Sequence, residues 1–205
     1  MGRTKKSTFI LGIVTVFFIT VLSTQALACK NKLLYIGVVK TPKLVMAAEV
    51  LSVLIFERTG TKVIINKYDN FQKCYEAAKK GEADMILDYT GRCYIDLLGK
   101  TPETDADKVY STVREACERE MEMVWLQPLG FSDFTVVTGN RGDTPSVAAP
   151  IIRIETLGRS PMLPRVINKL AGRLDEGLIS KLIEECNGKR AALVARRYLK
   201  DIGLI

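Results

Sequence analysis

An α/β domain, with a mostly parallel sheet covered by helices on both faces and a helical C-terminus, is the fold class this 205-residue sequence predicts. Three observations lead there. Apolar runs of strand length alternate with segments whose apolar residues recur every three or four positions. Proline and glycine fall between these runs, where chain reversals are needed. The alternation gives strand-helix-strand-helix-strand, which right-handed crossovers turn into a parallel sheet with helices on each side.

The first strand is Leu33 to Val39, an uninterrupted apolar run with Gly37 inside it, as expected for a strand buried on both faces. Pro42 suits the first turn of a helix, and Leu44, Ala47, Ala48, Leu51, Leu54 and Ile55 then share one face up to Gly60, which stops it. Lys62 to Lys67 is a second strand, Phe71 to Lys80 a second helix stopped by Gly81, and Asp84 to Asp88 a third strand. Asp105 can cap a helix whose apolar face carries Ala106, Val109, Tyr110, Val113, Ala116 and Cys117. Strands follow at Met123 to Leu126 and Phe134 to Thr138. Gly139 to Pro150 reads as a loop, and its Arg141-Gly142-Asp143 reads as a turn rather than a recognition tripeptide. A short strand at Ile151 to Ile154 and three helices complete the chain, the last with Ala191, Val194, Ala195, Tyr198, Leu199 and Ile202 in one stripe.

Residues 1–28 are expected to be removed. Arg3, Lys5 and Lys6 precede an apolar run from Phe9 to Leu22 that ends at Ala26-Leu27-Ala28, the layout of a secretory signal peptide; the run is short for a bilayer-spanning helix. Cys29 leaves two outcomes open: cleavage to a free extracytoplasmic protein, or acylation of Cys29 as a lipid anchor. The remaining 29–205 form one domain's length of chain. Loss of the leader lowers the formal charge of +7 by three, a mild and scattered surplus that gives no reason to expect nucleic acid. The chain has 0 histidines, which excludes nucleophile-histidine pairs and the commonest metal ligand.

The cysteines are Cys29, Cys74, Cys93, Cys117 and Cys186. None has CxxC spacing, so neither a zinc site nor a thioredoxin-type motif is indicated. Cys93 and Cys117 fall on consecutive predicted helices and can meet, with small buried thiols as the alternative. Cys93, or the pair Asp84 and Asp88, would be the residues of a hydrolase or redox reading, but no base or resolving partner accompanies them. No catalytic residue, cofactor or metal is assigned.

Ile36-Gly37, Gly81-Glu82-Ala83-Asp84, Asp88-Tyr89-Thr90-Gly91, Asp107-Lys108-Val109-Tyr110 and Trp125-Leu126-Gln127-Pro128-Leu129-Gly130-Phe131 occur in that order. Asn168-Lys169-Leu170-Ala171-Gly172-Arg173, Ala195-Arg196-Arg197-Tyr198-Leu199-Lys200 and Gly203-Leu204 close the chain. Together these resemble the glycine betaine, choline and carnitine binding proteins of ABC importers. The resemblance implies one lobe of a periplasmic-binding-protein-like fold, a quaternary ammonium or other small zwitterionic or anionic ligand, an ABC permease as partner, and a periplasmic or otherwise extracytoplasmic location. It also implies a departure. Family members insert a second lobe of roughly a hundred residues, a domain's worth of chain, where this chain has only the loop 139–148. A partner lobe or a second copy would then have to supply the other wall.

The family holds its cation by cation–π attraction to tyrosines and its carboxylate by basic or polar groups. By that resemblance the ligand-binding candidates are Tyr89 and Thr90 at the end of the third strand, Arg92 and Lys40 as anion grips, and Asp133 and Phe134 near a second cage position. The family's tyrosine there aligns with Thr135. Arg92 stands where a small hydroxyl residue is usual, and a solvated side chain is its alternative role. Tyr89 has the alternative of packing at the sheet's end. A non-transport interaction protein that uses the lobe as a scaffold is the other functional class left open.

Overall fold

In the computed structural model, residues 33–132, 143–186 and 189–205 are described. The proposed leader, Cys29, Asp133, Phe134, Thr135 and the strand expected at Phe134 to Thr138 lie outside those residues. So do residues 139–142 of the 139–148 loop.

Strand β1 (Leu33–Val39) forms where the sequence is continuously apolar and becomes the second strand of a five-stranded sheet in the order β2-β1-β3-β5-β4. Helix α1 (Pro42–Thr59) starts on Pro42, whose missing N–H is no loss in a first turn. It ends on Gly60, whose φ of 68° is left-handed and whose N–H bonds the Phe56 carbonyl. Strand β2 (Lys62–Tyr68) pairs parallel with β1, Leu33 opposite Lys62 and Val39 opposite Tyr68. Helix α2 (Phe71–Lys79) is capped by Asn70, whose side chain accepts from the Lys73 N–H at 2.9 Å. Strand β3 (Met85–Tyr89) returns on the other side of β1. The two crossovers run in opposite directions across the sheet, so their right-handedness puts α1 and α2 on opposite faces.

After β3 the chain turns through Thr90–Arg92 into a π-helix, Cys93–Leu97. Helix α3 (Ala106–Met121) is capped as expected by Asp105, which accepts from the Asp107 and Lys108 N–H groups. Strand β4 is Met123–Trp125 and strand β5 is Ala148–Arg153. β5 pairs antiparallel with both β3 and β4, Tyr89 opposite Ala148 and Trp125 opposite Ile151. It is the strand that runs against the other four described ones, so the sheet is mostly parallel in direction.

Two expectations change here. The sequence predicts a loop through Pro150 and a strand from Ile151, but β5 starts at Ala148. Proline misleads because it normally ends strands; here it sits at a position needing no donor, and its carbonyl accepts from the Leu126 N–H at 2.8 Å. The three terminal helices are four: α4 (Ile154–Arg159), α5 (Leu163–Ile167), α6 (Glu176–Glu185) and α7 (Ala191–Asp201), with a 3-10 turn at Asn168–Leu170. Pro161 separates the first two, since the residue before a proline avoids helical angles.

Trp125, Ile36, Leu51, Leu54, Met85 and Leu87 are among the fully buried side chains at the centre. Helices α5, α6 and α7 pack against α1, and α3 against β4. Asp84, just before β3, ties three elements together: it accepts from the Tyr35 N–H at 2.9 Å, the Thr156 hydroxyl at 2.9 Å and Arg159 at 2.6 Å. Among the described residues no helix is long and apolar enough to cross a membrane.

Candidate functional site

Open α/β sheets place ligands beyond the carboxyl ends of their parallel strands, because loops diverge there and helix N-termini point inward. In this chain that edge holds Lys40 after β1, the N-terminus of α1, Asp69 and Asn70 after β2, and Tyr89 to Arg92 after β3. The β3–β5 pairing adds Pro145 to Val147 beside them. Lys40, Tyr89, Thr90 and Arg92 therefore stand on one edge of the sheet, each with a different commitment.

Tyr89 is fully buried, with its ring edge-on to Phe71 at 6.3 Å and to Phe131 at 6.1 Å between centroids. Thr90 is a junction: its N–H bonds the Val147 carbonyl at 3.0 Å, and its hydroxyl donates to the Pro145 carbonyl at 3.2 Å while accepting from the Val147 N–H at 3.1 Å. Gly91 permits this approach, since a Cβ there would stand 2.8 Å from the Pro145 oxygen and 2.8 Å from the Ser146 Cβ.

Arg92 is not a solvated side chain. It is 7% exposed and forms a two-pronged ion pair with Asp88, which is 0% exposed. The Tyr75 hydroxyl donates to the same carboxylate at 2.9 Å, and the Tyr89 N–H to its other oxygen at 2.7 Å. The guanidinium carbon lies 4.2 Å from the centre of the Phe71 ring, a cation–π stack. Burial opposes the charge on Arg92, but the Asp88 carboxylate outweighs it and holds the guanidinium protonated. Arg92 also lines a groove of about 470 Å³ with Tyr75, Leu97, Met121 and Met123.

Lys40 is exposed and bonds Asp69 at 2.7 Å, while Lys73 bonds the other oxygen at 2.8 Å. Lys43 contacts Glu176 and donates to the Ser132 carbonyl at 3.2 Å. The hydrogen bonds from Lys40 and then Lys73 hold the Asp69 carboxyl down at about 2. A depressed carboxylate stabilises the fold above its unfolded value, ~3.9, and that contribution is lost as pH falls through about 2. An NMR titration of the Asp69 carboxyl carbon should show a midpoint near 2 in low salt, moving up in Lys40→Ala. No movement would mean that the ion pair is not formed in solution.

Phe71, Tyr75 and Phe131 were not singled out from sequence. The spacing Asp88-x-x-x-Arg92 was available as a signal for the buried pair, because one helical turn brings such residues together. Asp84 and Asp88 belong to opposite ends of β3, each engaged in its own hydrogen bonds. Among the described residues no group of three or more Cys, Asp or Glu side chains is placed to hold a metal ion. Two buried hydroxyls, Thr41 and Ser146, have no hydrogen-bond partner among the described residues.

Solved structures resemble this fold, two of them as follows. One, described as a glycine betaine/carnitine/choline ABC transporter, has a TM-score of 0.71 at 16% identity, covering 83% of this chain and 99% of the other. The second, apo YehZ from Escherichia coli, has a TM-score of 0.67 at 13% identity, covering 84% of this chain and 99% of the other. At these identities the likeness is one of fold. The family model for the substrate-binding domain of the ABC-type glycine betaine transport system, OpuAC, matches residues 32–139, more than half of the sequence and all of its βαβαβ core. The chain belongs to that family of substrate-binding domains.

Proposed function

We propose that this chain is the extracytoplasmic solute-binding component of an ABC importer for glycine betaine or a similar quaternary ammonium solute, exported by residues 1–28 and working with a permease. The family match over 32–139 carries this reading. The clustering of Lys40, Tyr89 and Thr90 at the carboxyl edge supports it, as do the unpartnered hydroxyls of Thr41 and Ser146, since buried polar groups ordinarily find a partner and a polar solute would supply one. In this reading Tyr89 faces the cation, Lys40 and Thr90 the carboxylate, and Arg92 orders the turn, while Asp133 and Phe134, outside the described residues, are binding candidates by the family resemblance alone.

Affinity should be low. Tyr89 meets a ligand only when Phe71 or Phe131 moves aside, and one cation–π contact supplies about 0.5–2 kcal/mol against a larger cost of immobilising the ligand. Titrating glycine betaine, choline and carnitine into the isolated monomer should give a dissociation constant of about a millimolar. Lys40→Ala, an exposed change, should weaken glycine betaine and leave choline, which lacks the carboxylate, unaffected. Low-micromolar binding by a proven monomer would overturn the single-wall argument. Silence at tens of millimolar would overturn the solute-binding reading.

One observation favours a second reading, an interaction module built on the lobe. Lys40, Lys43 and Arg92 are all neutralised internally, by Asp69, Glu176 and Asp88. Silence in the titration would shift the assignment to that class.

A further inference from the structure

Cys93 and Cys117 lie in the core with their sulfurs 3.8 Å apart and both residues 0% exposed. Cys93 opens the π-helix that follows β3, and Cys117 sits on the buried stripe of α3. A disulfide needs about 2.05 Å between sulfurs, so closure asks for a side-chain rotation and a small approach of two elements already packed together. Cys74 is also buried, on α2, and Cys186 is half-buried at the end of α6; both are free thiols. Nor does any metal-binding cluster among the described residues compete for the two thiols.

We propose that Cys93 and Cys117 form a disulfide when the chain folds in an oxidising compartment. The proposal rests on the extracytoplasmic reading above, because cytosolic thiols are kept reduced. The oxidant is a disulfide, either glutathione disulfide or the active-site disulfide of an exported oxidoreductase. One cysteine thiolate attacks a sulfur of the oxidant, forming a mixed disulfide and releasing the oxidant's first thiol. The second thiolate then attacks the chain's own sulfur, closing Cys93–Cys117 and releasing the oxidant's second thiol. Two protons and two electrons leave the chain, and the oxidant is reduced to two thiols. Since both sulfurs are enclosed, exchange takes place before the core closes. The bond links positions 24 apart, fastening the turn that carries Tyr89, Thr90 and Arg92 to α3.

The test is a peptide map under non-reducing conditions, made on the chain isolated after export and on the full chain refolded in a glutathione redox buffer, with free thiols blocked by a maleimide. A Cys93–Cys117 peptide pair that disappears on reduction is expected, and reduction should lower the thermal midpoint by about 5 °C or more. Cys74→Ser should leave the linked pair in place. Should Cys93 or Cys117 destabilise the fold when replaced, that variant still serves as the control in which the linked peptide is lost. Maleimide on both Cys93 and Cys117 after oxidative refolding, or a bond from either to Cys74, would overturn the proposal. A linked refolded chain beside a reduced chain from cells would overturn the export reading instead, leaving the pairing itself standing.

Discussion

Deleting residues 191–205 should leave a chain that no longer unfolds cooperatively. Helix α7 contributes the buried side chains of Val194, Ala195, Tyr198 and Leu199, and the following turn buries Leu204. Its face lies on α1, itself the helix that covers β1 and β2. Each large side chain loses about 1.5–3 kcal/mol of burial when its partner surface is opened to water. Four of them reach the same range as the ~5–15 kcal/mol that separates folded from unfolded domains. Polar fastenings go with them: the Tyr198 hydroxyl donates to the Arg173 carbonyl at 2.9 Å, Arg58 donates to the Leu204 carbonyl at 2.7 Å, and Arg196 pairs with Glu57. Far- and near-ultraviolet circular dichroism through a thermal scan would decide. A truncated chain with a sharp transition within a few degrees of the full one would show that α7 is an appendage. As a contrast on the same helix, Leu193→Ala should change stability by no more than about 0.5 kcal/mol, because Leu193 is 61% exposed.

That deletion is predictable from sequence because α7 obeys the simplest rule in the chain, an apolar stripe at helical period. Patterning of the same kind, an apolar face at helical period in α1 and α2 and an apolar run of strand length in β1 and β3, made those four legible to within one residue. In each, the side chains repeat in the pattern the backbone imposes, and Gly60 marks the end of α1 through a backbone need of its own. What was not legible is what depends on partners distant in sequence. Pro145 to Pro150 looks like a loop because proline and small residues dominate it, yet its last three residues pair with β3, and the Leu126 and Leu129 N–H groups just after β4 donate to the Pro150 and Ala148 carbonyls. The family resemblance makes Tyr89 a binding candidate, but only the packing of Phe71 from α2 and Phe131 after β4 reveals that its ring is enclosed. Charge misleads in the same way. An arginine in a glycine-containing turn is usually solvated, and Arg92 departs from that because its partner Asp88 points to the same side of β3's end.

Arg92→Ala should be the most damaging single substitution near the candidate site. It leaves the Asp88 carboxylate fully buried with only the Tyr75 hydroxyl and the Tyr89 N–H to solvate it, and removes the cation stacked on Phe71. Removing one member of a buried ion pair costs about 3–5 kcal/mol, chiefly because the remaining charge has lost its compensation. The double variant Arg92→Met/Asp88→Asn should lose much less, about 1–2 kcal/mol, since it removes both charges, keeps an acceptor for Tyr75 and fills the stem of the arginine. A denaturant-unfolding cycle over wild type, Arg92→Met, Asp88→Asn and the double variant isolates the coupling, which should exceed the roughly 0.5–1 kcal/mol of an exposed pair. Additive losses would mean that Arg92 and Asp88 are each solvated on their own. The cycle also separates two roles for Arg92. If the double variant folds and still binds glycine betaine as the wild type does, Arg92 acts by ordering the turn that presents Tyr89 and Thr90. If it folds and binding is lost, the guanidinium itself contacts the ligand, and the Asp88 pair is what holds it in position to do so.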